Sequence, residues 1–153
     1  MKSKNILYIG DNTGEIVFDK ILVEELQSNG CQVTYTVKSS PILNDALMED
    51  ATATGMTTLT HVIESGSTTA GTLISQGTDE FIEYLNKADL IISKGQGNLE
   101  TISEESLNKP VFYLLLSKCN HISKALGIKK FDLILMHDTS FKSYLKQNQC
   151  LWV

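Results

Sequence analysis

The sequence contains no arginine, because all 13 of its basic residues are lysine. A phosphate or carboxylate ligand therefore cannot be bound by the two parallel donors of a guanidinium group. Any phosphate contact must come from lysine ammonium groups, backbone N–H groups or a metal ion. The net charge of −5 is unfavourable for binding a polyanion, so we expect no nucleic-acid partner.

Cysteine is scarce as well. Cys31, Cys119 and Cys150 are an odd number of thiols without CxxC spacing. This pattern excludes a disulfide framework and a zinc site, and it indicates reduced thiols in the cytoplasm. As a nucleophile, Cys119 would need a base partner, and a buried structural thiol is the favoured interpretation. The three histidines lack metal-ligand spacing, and they are His61, His121 and His137.

Long apolar runs are also missing. The runs present are only about 4 to 8 residues long, which is too short to span a membrane. The start of the chain is polar and then strand-like, so we expect no signal peptide and no membrane association. A chain of 153 residues with 42% hydrophobic content can bury a sizeable core, and we expect residues 1–153 to form a single domain.

Strand-like runs alternate with helical patterns along the chain. Six runs are predicted as strands, at 6–9, 31–37, 59–63, 89–93, 110–116 and 131–136. The pattern predicts helices after the first strand up to Asn29-Gly30, at 41–55 with Pro41 in its first turn, at 79–88 and at 117–127, with 137–153 helical at best. The alternation indicates a doubly wound, mostly parallel α/β sheet in which the continuous run 110–116 is a central buried strand.

Oxygen donors follow the first two predicted strands. Asp11 and Asn12 lie in the turn after the first strand, and Asp45 lies near the carboxyl end of the second. In open α/β sheets this edge binds ligands, and carboxylate and amide oxygens suit Mg²⁺ or Mn²⁺. The alternative is that all three residues only cap helices. Glu15 and Asp19 lie one helical turn apart and can face the same edge, or they form a solvated helix face.

A lysine and two glycines follow the fourth predicted strand. Lys94, Gly95 and Gly97 precede a helix start, where backbone N–H groups favour a phosphate, although a surface lysine is the alternative. The dinucleotide signature is weak because no glycine follows at the required spacing, and a P-loop is excluded because no Gly-Lys-Ser or Gly-Lys-Thr occurs. Lys118, after the fifth strand, should reach the same edge. The serine- and threonine-rich stretch 65–72 is either a ligand-binding loop or a mobile linker.

Three longer motifs resemble a known family. They are Ile-Gly-Asp-Asn-Thr-Gly-Glu-Ile-Val-Phe-Asp at 9–19, Val-Lys-Ser-Ser-Pro-Ile-Leu-Asn-Asp at 37–45 and Ala-Asp-Leu-Ile-Ile-Ser-Lys-Gly-Gln-Gly-Asn-Leu-Glu at 88–100. The pair at 118–119 is a fourth point of similarity. In this order, over roughly 1–136, the chain resembles the metal-dependent damage-control phosphatases. These are also described as domain of unknown function eighty-nine and include the acidic-residue methyltransferase-like proteins.

The resemblance implies a Rossmann-like three-layer α/β/α sandwich with a mostly parallel sheet of about six strands. It implies that one divalent metal, Mn²⁺, Co²⁺, Ni²⁺ or Mg²⁺, binds to Asp11, Asn12 and Asp45, and that these residues and Lys94 are catalytic. The implied reaction is hydrolysis of a small phosphorylated metabolite, a sugar phosphate or damaged phosphometabolite. Water activated by the metal is the preferred nucleophile and Asp11 the alternative. The residues implied to bind substrate are Glu15, Asp19, Ser39, Gly95, Gly97, Asn98 and Lys118.

The chain departs from the family pattern at its front. Family members usually carry an N-terminal helical region, whereas only residues 1–4 precede the first predicted strand. We therefore expect a truncated family member whose exposed apolar surface is covered in a homo-oligomer or by a partner. Two alternative functions are open. One is a nucleotide- or dinucleotide-binding domain without hydrolysis, and the other is a non-catalytic fragment that needs a partner.

Overall fold

The computed structural model describes residues 3–147, and its centre is a six-stranded sheet in the order β3-β2-β1-β4-β5-β6. The first five strands are parallel, and β6 runs antiparallel to β5. This arrangement confirms the predicted mostly parallel α/β sheet of six strands. The strands are β1 (Asn5–Ile9), β2 (Gln32–Val37), β3 (His61–Glu64), β4 (Leu90–Lys94), β5 (Val111–Leu116) and β6 (Leu133–His137).

Helices cover both faces of this sheet and form two hydrophobic cores. One face of β1, with Leu7 and Ile9, belongs to the core that includes residues of α4, α5, α6 and α7. The opposite face, with Ile6 and Tyr8, belongs to the core that includes residues of α1, α2 and α3. The helices are α1 (Ile16–Ser28), α2 (Met48–Ala53), α3 (Met56–Leu59), α4 (Asp79–Lys87), α5 (Gln96–Ile102), α6 (Asn120–Leu126) and α7 (Asp138–Gln147).

The apolar run that forms β5 is buried on one face only. Its side chains alternate between buried and half-buried, so the prediction of a fully buried central strand is only partly correct. On β6, Leu133 and Leu135 are 86% and 72% exposed, and they pair with Leu116 and Leu114 of β5. We call Leu114, Leu116, Leu133 and Leu135 the leucine face. It lies on the same side of the sheet as α1, whose Phe18 is also exposed.

The helix predicted for 41–55 begins later than expected. It starts at Met48, and residues 41–47 form a turn that contains Pro41, so this proline does not lie in the first helical turn. The backbone of Ala46 is already used by other segments: its N–H donates to the Asp11 carbonyl at 2.8 Å, and its carbonyl accepts from the Lys38 N–H at 2.9 Å. These long-range bonds compete with helix formation and place Asp45 next to the turn after β1.

The loop predicted for 64–77 is packed and is not a mobile linker. Ser65, Ser67 and Thr72 are buried, and a short 3₁₀ turn spans Ile74–Gln76. At the carboxyl end of the chain, α7 accounts for part of the predicted helical segment 137–153, whereas Cys150 and the other residues after 147 lie outside the described range. Within 3–147, no helix combines the length and apolar character needed to cross a bilayer.

The different burial of two phenylalanines predicts different costs for the same substitution. Phe81 of α4 is fully buried, whereas Phe18 of α1 is 70% exposed. We expect Phe81→Ala to lower the free energy of unfolding by about 3 to 5 kcal/mol, because it removes buried area and leaves a cavity. Phe18→Ala should change it by less than about 0.5 kcal/mol. Urea denaturation of both variants checks this, and equal losses would contradict the assignment of the core.

Candidate active site

A cleft of about 420 Å³ opens at the carboxyl edge of the sheet, where the sequence predicted a site. One end is polar, with Asp11, Glu15, Lys94 and Lys118 among its lining residues. The leucine face lines the other end. The cleft therefore joins a charged site to an apolar surface that the helices of residues 3–147 leave partly exposed.

Backbone pairing brings the three predicted metal ligands together. Asn12 and Asp45 form an isolated antiparallel β-bridge, and the carbonyl of Asp11 accepts the N–H of the residue after Asp45. The Asp11 side chain packs against Gly95 so closely that a Cβ at that position would overlap its carboxylate. Gly95 also has φ +84°, which side chains with a Cβ rarely adopt, so glycine is needed there for two reasons.

The two aspartates of this set carry unfavourable negative charge. Burial raises the pKa of Asp11 to about 6, and the nearby carboxylates of Glu15 and Asp45 contribute to the increase. Burial also raises the pKa of Asp45, although the Lys38 ammonium partly offsets it. A bound cation would favour the ionised form of both carboxyl groups and would offset the repulsion of Asp11 by Glu15 and Asp45.

The Asn12 amide connects Asp11 to Glu15. Its Nδ2 donates to Oδ2 of Asp11 and to Oε1 of Glu15, each at 2.9 Å. Burial opposes ionisation of Glu15, but hydrogen bonds from Lys94 and Asn12 outweigh it and lower the pKa of Glu15. In this arrangement the nitrogen of the Asn12 amide faces Asp11, so the amide must rotate by about 180° before its oxygen can coordinate a cation there.

Lys94 lies between two carboxylates of unlike burial. Its Nζ donates to Oε2 of Glu15 at 2.8 Å and to Oδ1 of Asp19 at 2.7 Å. Burial disfavours the Lys94 ammonium, but the charges of Asp19 and Glu15 outweigh it and raise the pKa of Lys94. Asp19 is only 3% exposed, and it also accepts hydrogen bonds from the hydroxyls of Tyr8 and Tyr35. Asp19 thus lies beneath Lys94, inside the core.

Lys38 is a charged residue of the site to which the sequence reasoning gave no role. Its side chain is buried, and its Nζ lies 3.7 Å from Oδ2 of Asp45. The same ammonium donates to the carbonyls of Thr69 and Gly71. It therefore connects Asp45 to the loop after β3. One signal was available in the sequence: Lys38 directly follows β2, as Lys118 closely follows β5.

Three of the implied substrate-binding residues contact other loops of the protein. The Ser39 hydroxyl accepts from the N–H of Gly66, and the backbone of Gly97 packs against Gly71. Asn98 is buried, and its Nδ2 donates to two backbone carbonyls. One is that of Gly10, which precedes Asp11, and the other is that of Lys94, which follows Ser93. These residues hold the glycine turns in place around the cleft.

Lys118 and its neighbour have different roles. The Lys118 side chain is exposed and lines the cleft, and its charge lowers the pKa values of the carboxylates nearby. The Cys119 Sγ accepts from the N–H of Ile122 and caps α6, in agreement with a structural thiol. His61 pairs with Glu80 on the surface, away from the cleft.

The donor chemistry of the Asp11, Asn12 and Asp45 set fits a hard divalent cation. Two carboxylates and one amide oxygen are the ligand types that Mg²⁺ and Mn²⁺ prefer. Across residues 3–147, no group of three or more histidine, cysteine, aspartate or glutamate side chains is arranged to hold a metal ion. The candidate set is compatible with this finding because it has two carboxylates, with the amide as its third donor.

Comparisons with known proteins agree with the resemblance noted in the sequence. The family model described as damage-control phosphatase ARMT1-like domain matches residues 1–134. A damage-control phosphatase of Pyrococcus horikoshii is 41% identical over 138 residues, which cover 90% of this chain and 48% of that protein. A damage-control phosphatase of Archaeoglobus fulgidus is 33% identical and covers 88% of this chain and 46% of its own length.

A solved structure supports the same family relationship. The crystal structure of a DUF89 family protein from Pyrococcus horikoshii superposes with a TM-score of 0.83 and 40% sequence identity. The match covers 90% of this chain and 48% of that chain. The chain thus spans less than half the length of these relatives.

The raised pKa of Asp11 predicts a stability effect with a definite pH dependence. Its pKa rises from 3.8 to about 6 on folding, so ionisation of Asp11 destabilises the fold as the pH increases through this window. In the absence of divalent cations, we expect Asp11→Asn to raise the free energy of unfolding by about 1 to 3 kcal/mol above pH 6 and to leave it unchanged near pH 4.

Urea denaturation in EDTA between pH 4 and pH 7 measures this effect. Asp89→Asn is the matched control, because backbone N–H groups of Lys4 and Asn5 lower the pKa of Asp89 and its removal should not stabilise the fold. A stability gain for Asp11→Asn that is equal at all pH values, or a loss at pH 7, would contradict the charge excess.

Proposed function

The chain belongs to the damage-control phosphatase ARMT1-like domain family, and from this membership we propose that it hydrolyses small phosphorylated metabolites with the help of a divalent metal. The observation that carries the proposal is the position of Lys94 in the cleft. The half-buried Lys94 and the carboxylate of Asp11 line the same cleft, which a phosphoryl group can enter, and the bridge between Asn12 and Asp45 brings Asp45 next to Asp11. A cation and a lysine together would neutralise the charge of such a group.

The metal in this proposal is held by Asp11, Asn12 and Asp45. The support is their convergence through the bridge between Asn12 and Asp45, the burial that raises the pKa of both aspartates, and the negative charges of Glu15 and Asp45 beside Asp11. A divalent cation at these residues would supply Lewis-acid polarisation of a phosphoryl group and would acidify water. Mn²⁺, Co²⁺, Ni²⁺ and Mg²⁺ are the candidate ions, because all of them accept oxygen ligands.

The residues of the chain itself bind and orient the substrate. Lys94 would contact the phosphoryl oxygens, and the exposed ammonium of Lys118 would attract the anion into the cleft. Water attack, rather than attack by Asp11, is part of the proposal. The oxygen of water forms the new bond to phosphorus, the bond to the ester oxygen breaks, and an alcohol and hydrogen phosphate are the products.

The size of the cleft supports a small substrate. A volume of about 420 Å³ is within the range of small-molecule sites, and a sugar phosphate or a damaged phosphometabolite fits it. Of these two substrate classes, the names of the relatives from Pyrococcus horikoshii and Archaeoglobus fulgidus support a damaged phosphometabolite. We place the reaction in the cytoplasm, and the free thiols of Cys31 and Cys119 are compatible with a reducing compartment.

Removal of the metal ligands should abolish turnover. We expect Asp45→Ala to lower kcat/KM on a panel of sugar phosphates by about 100-fold or more, because the site loses one of the three proposed ligands of the metal that would polarise the phosphoryl group. The same variant should bind Mn²⁺ more weakly in calorimetry. EDTA should stop turnover by the wild-type chain, and added Mn²⁺ should restore it.

The matched control is Asp79→Ala, which removes an exposed aspartate at the start of α4. Its turnover and its affinity for Mn²⁺ should equal those of the wild type. Undiminished metal-dependent turnover in Asp45→Ala would disprove the assignment of the ligand. Binding of NAD or ATP without metal, combined with no hydrolysis of any phosphate ester, would favour a nucleotide-binding domain instead.

We also propose that another polypeptide segment covers the leucine face in the working enzyme. This segment corresponds to the part of the relatives that lies outside their match to this chain, whether it is joined to the chain or separate. Two observations support the proposal. The match covers less than half of each relative, and the leucine face is exposed while forming one wall of the cleft.

Association with this segment should depend on the leucine face. We expect the unmatched part of the Pyrococcus horikoshii relative, when co-expressed, to co-purify with this chain and to reduce its binding of a hydrophobic dye. Leu135→Glu should weaken the association by about 10-fold or more, since a charge is placed on a surface that is buried in the complex.

Leu43→Glu is the control, because Leu43 is also highly exposed but lies outside the leucine face. It should leave the association unchanged. Two results would contradict the proposal that this segment covers the leucine face. One is a chain that forms homodimers through Leu135 and does not bind the segment. The other is a monomer whose dye binding is not affected by Leu135→Glu.

A further inference from the structure

The two carboxylates that contact Lys94 differ in burial and in their other hydrogen-bond donors. Asp19 has 3% of its side chain exposed and Glu15 has 36%, although both lie within hydrogen-bond distance of the same ammonium. Building on the proposed phosphatase function, we propose that Asp19 is the permanent anchor of Lys94. Glu15 is the exchangeable partner, and its carboxylate takes the place of the substrate's phosphoryl group until substrate arrives.

Asp19 is fixed by donors from two strands. Its Oδ1 accepts from the Tyr8 hydroxyl at 2.7 Å, and its Oδ2 accepts from the Tyr35 hydroxyl at 2.8 Å. The two rings stack with centroids 5.1 Å apart, because Tyr8 of β1 pairs with Tyr35 of β2 in the sheet register. A buried carboxylate with three donors loses all of them if it moves away, so Asp19 stays in contact with Lys94.

Close packing also restricts which residue can lie next to the Tyr35 ring that holds Asp19. A Cβ at Gly10 would lie 2.5 Å from the hydroxyl oxygen of Tyr35, so glycine is required above the ring. The turn that contains Gly10 is therefore in contact with the Tyr35 hydroxyl that donates to Asp19. Within residues 3–147 neither Tyr8 nor Tyr35 lines the cleft, and both donate to Asp19, through which they act on Lys94. They are positioning residues.

Glu15 uses a donor that a phosphoryl group would need. Its Oε2 accepts from Lys94, which lines the cleft, whereas the contact of its Oε1 with the Asn12 amide is lost when that amide turns its oxygen to a cation. Phosphoryl oxygens accept from the same kinds of donor as carboxylate oxygens. Glu15 is partly solvated and ends a short 3₁₀ turn, Thr13–Glu15, so its side chain can rotate into solvent at little cost.

The exchange explains why the site has a lysine with two carboxylates. While the site has no substrate, Glu15 and Asp19 both accept from the Lys94 ammonium and hold it in the cleft. When a phosphoryl group binds, Glu15 is released and Asp19 alone fixes the direction of Lys94. Rejection of weakly charged ligands follows, because a ligand must compete with the carboxylate of Glu15.

Inorganic phosphate is the probe for this exchange. It is titrated into the whole chain with saturating Mg²⁺ in a calorimeter, and the Mg²⁺ affinity is measured separately. We expect Glu15→Gln to bind phosphate about 3- to 5-fold more tightly, as expected for removal of one exposed ion pair that competes with the ligand. Glu24→Gln is the control on the same helix, because Glu24 is exposed, and it should match the wild type.

The anchoring role of Asp19 is tested by removing its charge. We expect Asp19→Asn to weaken phosphate binding by about 30-fold or more, because Lys94 loses its buried partner. Tyr35→Phe removes one hydroxyl with little change in shape, and it should weaken phosphate binding while the Mg²⁺ affinity stays constant. Tyr84→Phe, on α4, is the matched control and should change neither. If Asp19→Asn fails to fold, Tyr35→Phe still decides the question.

Each outcome has a definite meaning. If Glu15→Gln binds phosphate no more tightly than Glu24→Gln, or if Tyr35→Phe binds it as tightly as Tyr84→Phe, the division of roles is wrong. A parallel loss of Mg²⁺ and phosphate affinity in Tyr35→Phe would indicate general disorder of the site and would also overturn the positioning role. If phosphate binds to no form but sugar phosphates are hydrolysed, only this inference fails. If neither occurs, the proposed function fails with it.

Discussion

The structure depends on an excess of negative charge at one edge of the sheet. Four carboxylates converge there, those of Asp11, Glu15, Asp19 and Asp45, and two lysines with little exposure, Lys38 and Lys94, pair with them. Four negative charges against two positive charges leave a formal excess of two, the charge of one divalent cation. Burial and the nearby carboxylates of Glu15 and Asp45 raise the pKa of Asp11 to about 6, whereas Asp19 and Glu15 contact Lys94 directly. Each of the two lysines is set against two carboxylates, so the excess is shared between the side of Asp11 and Asp45 and the side of Lys94.

The position of this edge could be predicted from the sequence, but the contacts that organise it could not. Parallel strands end at one edge, so residues that follow them, such as Asp11 and Lys94, were expected to lie together. The helix expected from Pro41 begins only at Met48, because the backbone around Asp45 pairs with the turn after β1 instead. The Tyr8 and Tyr35 contacts with Asp19 depend on strand register and on the packing of α1, and local spacing reports neither. The one-sided burial of β5 was also missed, because a continuous apolar run looks the same whether one face is covered or both.

The charged site and the leucine face belong to one cleft, so the proposed hydrolysis and the proposed coverage of the leucine face involve the same space. A polypeptide segment on the leucine face would remove water from the end of the cleft next to Lys94, where charge interactions become stronger as the dielectric constant falls. The same segment would shape the space that the alcohol part of a substrate occupies. Substrate choice and coverage of the leucine face are therefore expected to depend on each other, whereas the residues proposed to bind the metal, Asp11, Asn12 and Asp45, all belong to this chain.

The most direct test of the account is anomalous diffraction from crystals of this chain soaked with Mn²⁺. The account predicts one strong manganese peak bounded by the side chains of Asp11, Asn12 and Asp45, with the Asn12 amide turned so that its oxygen faces the ion. Lys94 should keep its contact with Asp19 in the same crystals. The absence of a peak at these three residues under saturating Mn²⁺, or a peak elsewhere with the Asn12 amide still donating to Asp11, would contradict the central claim.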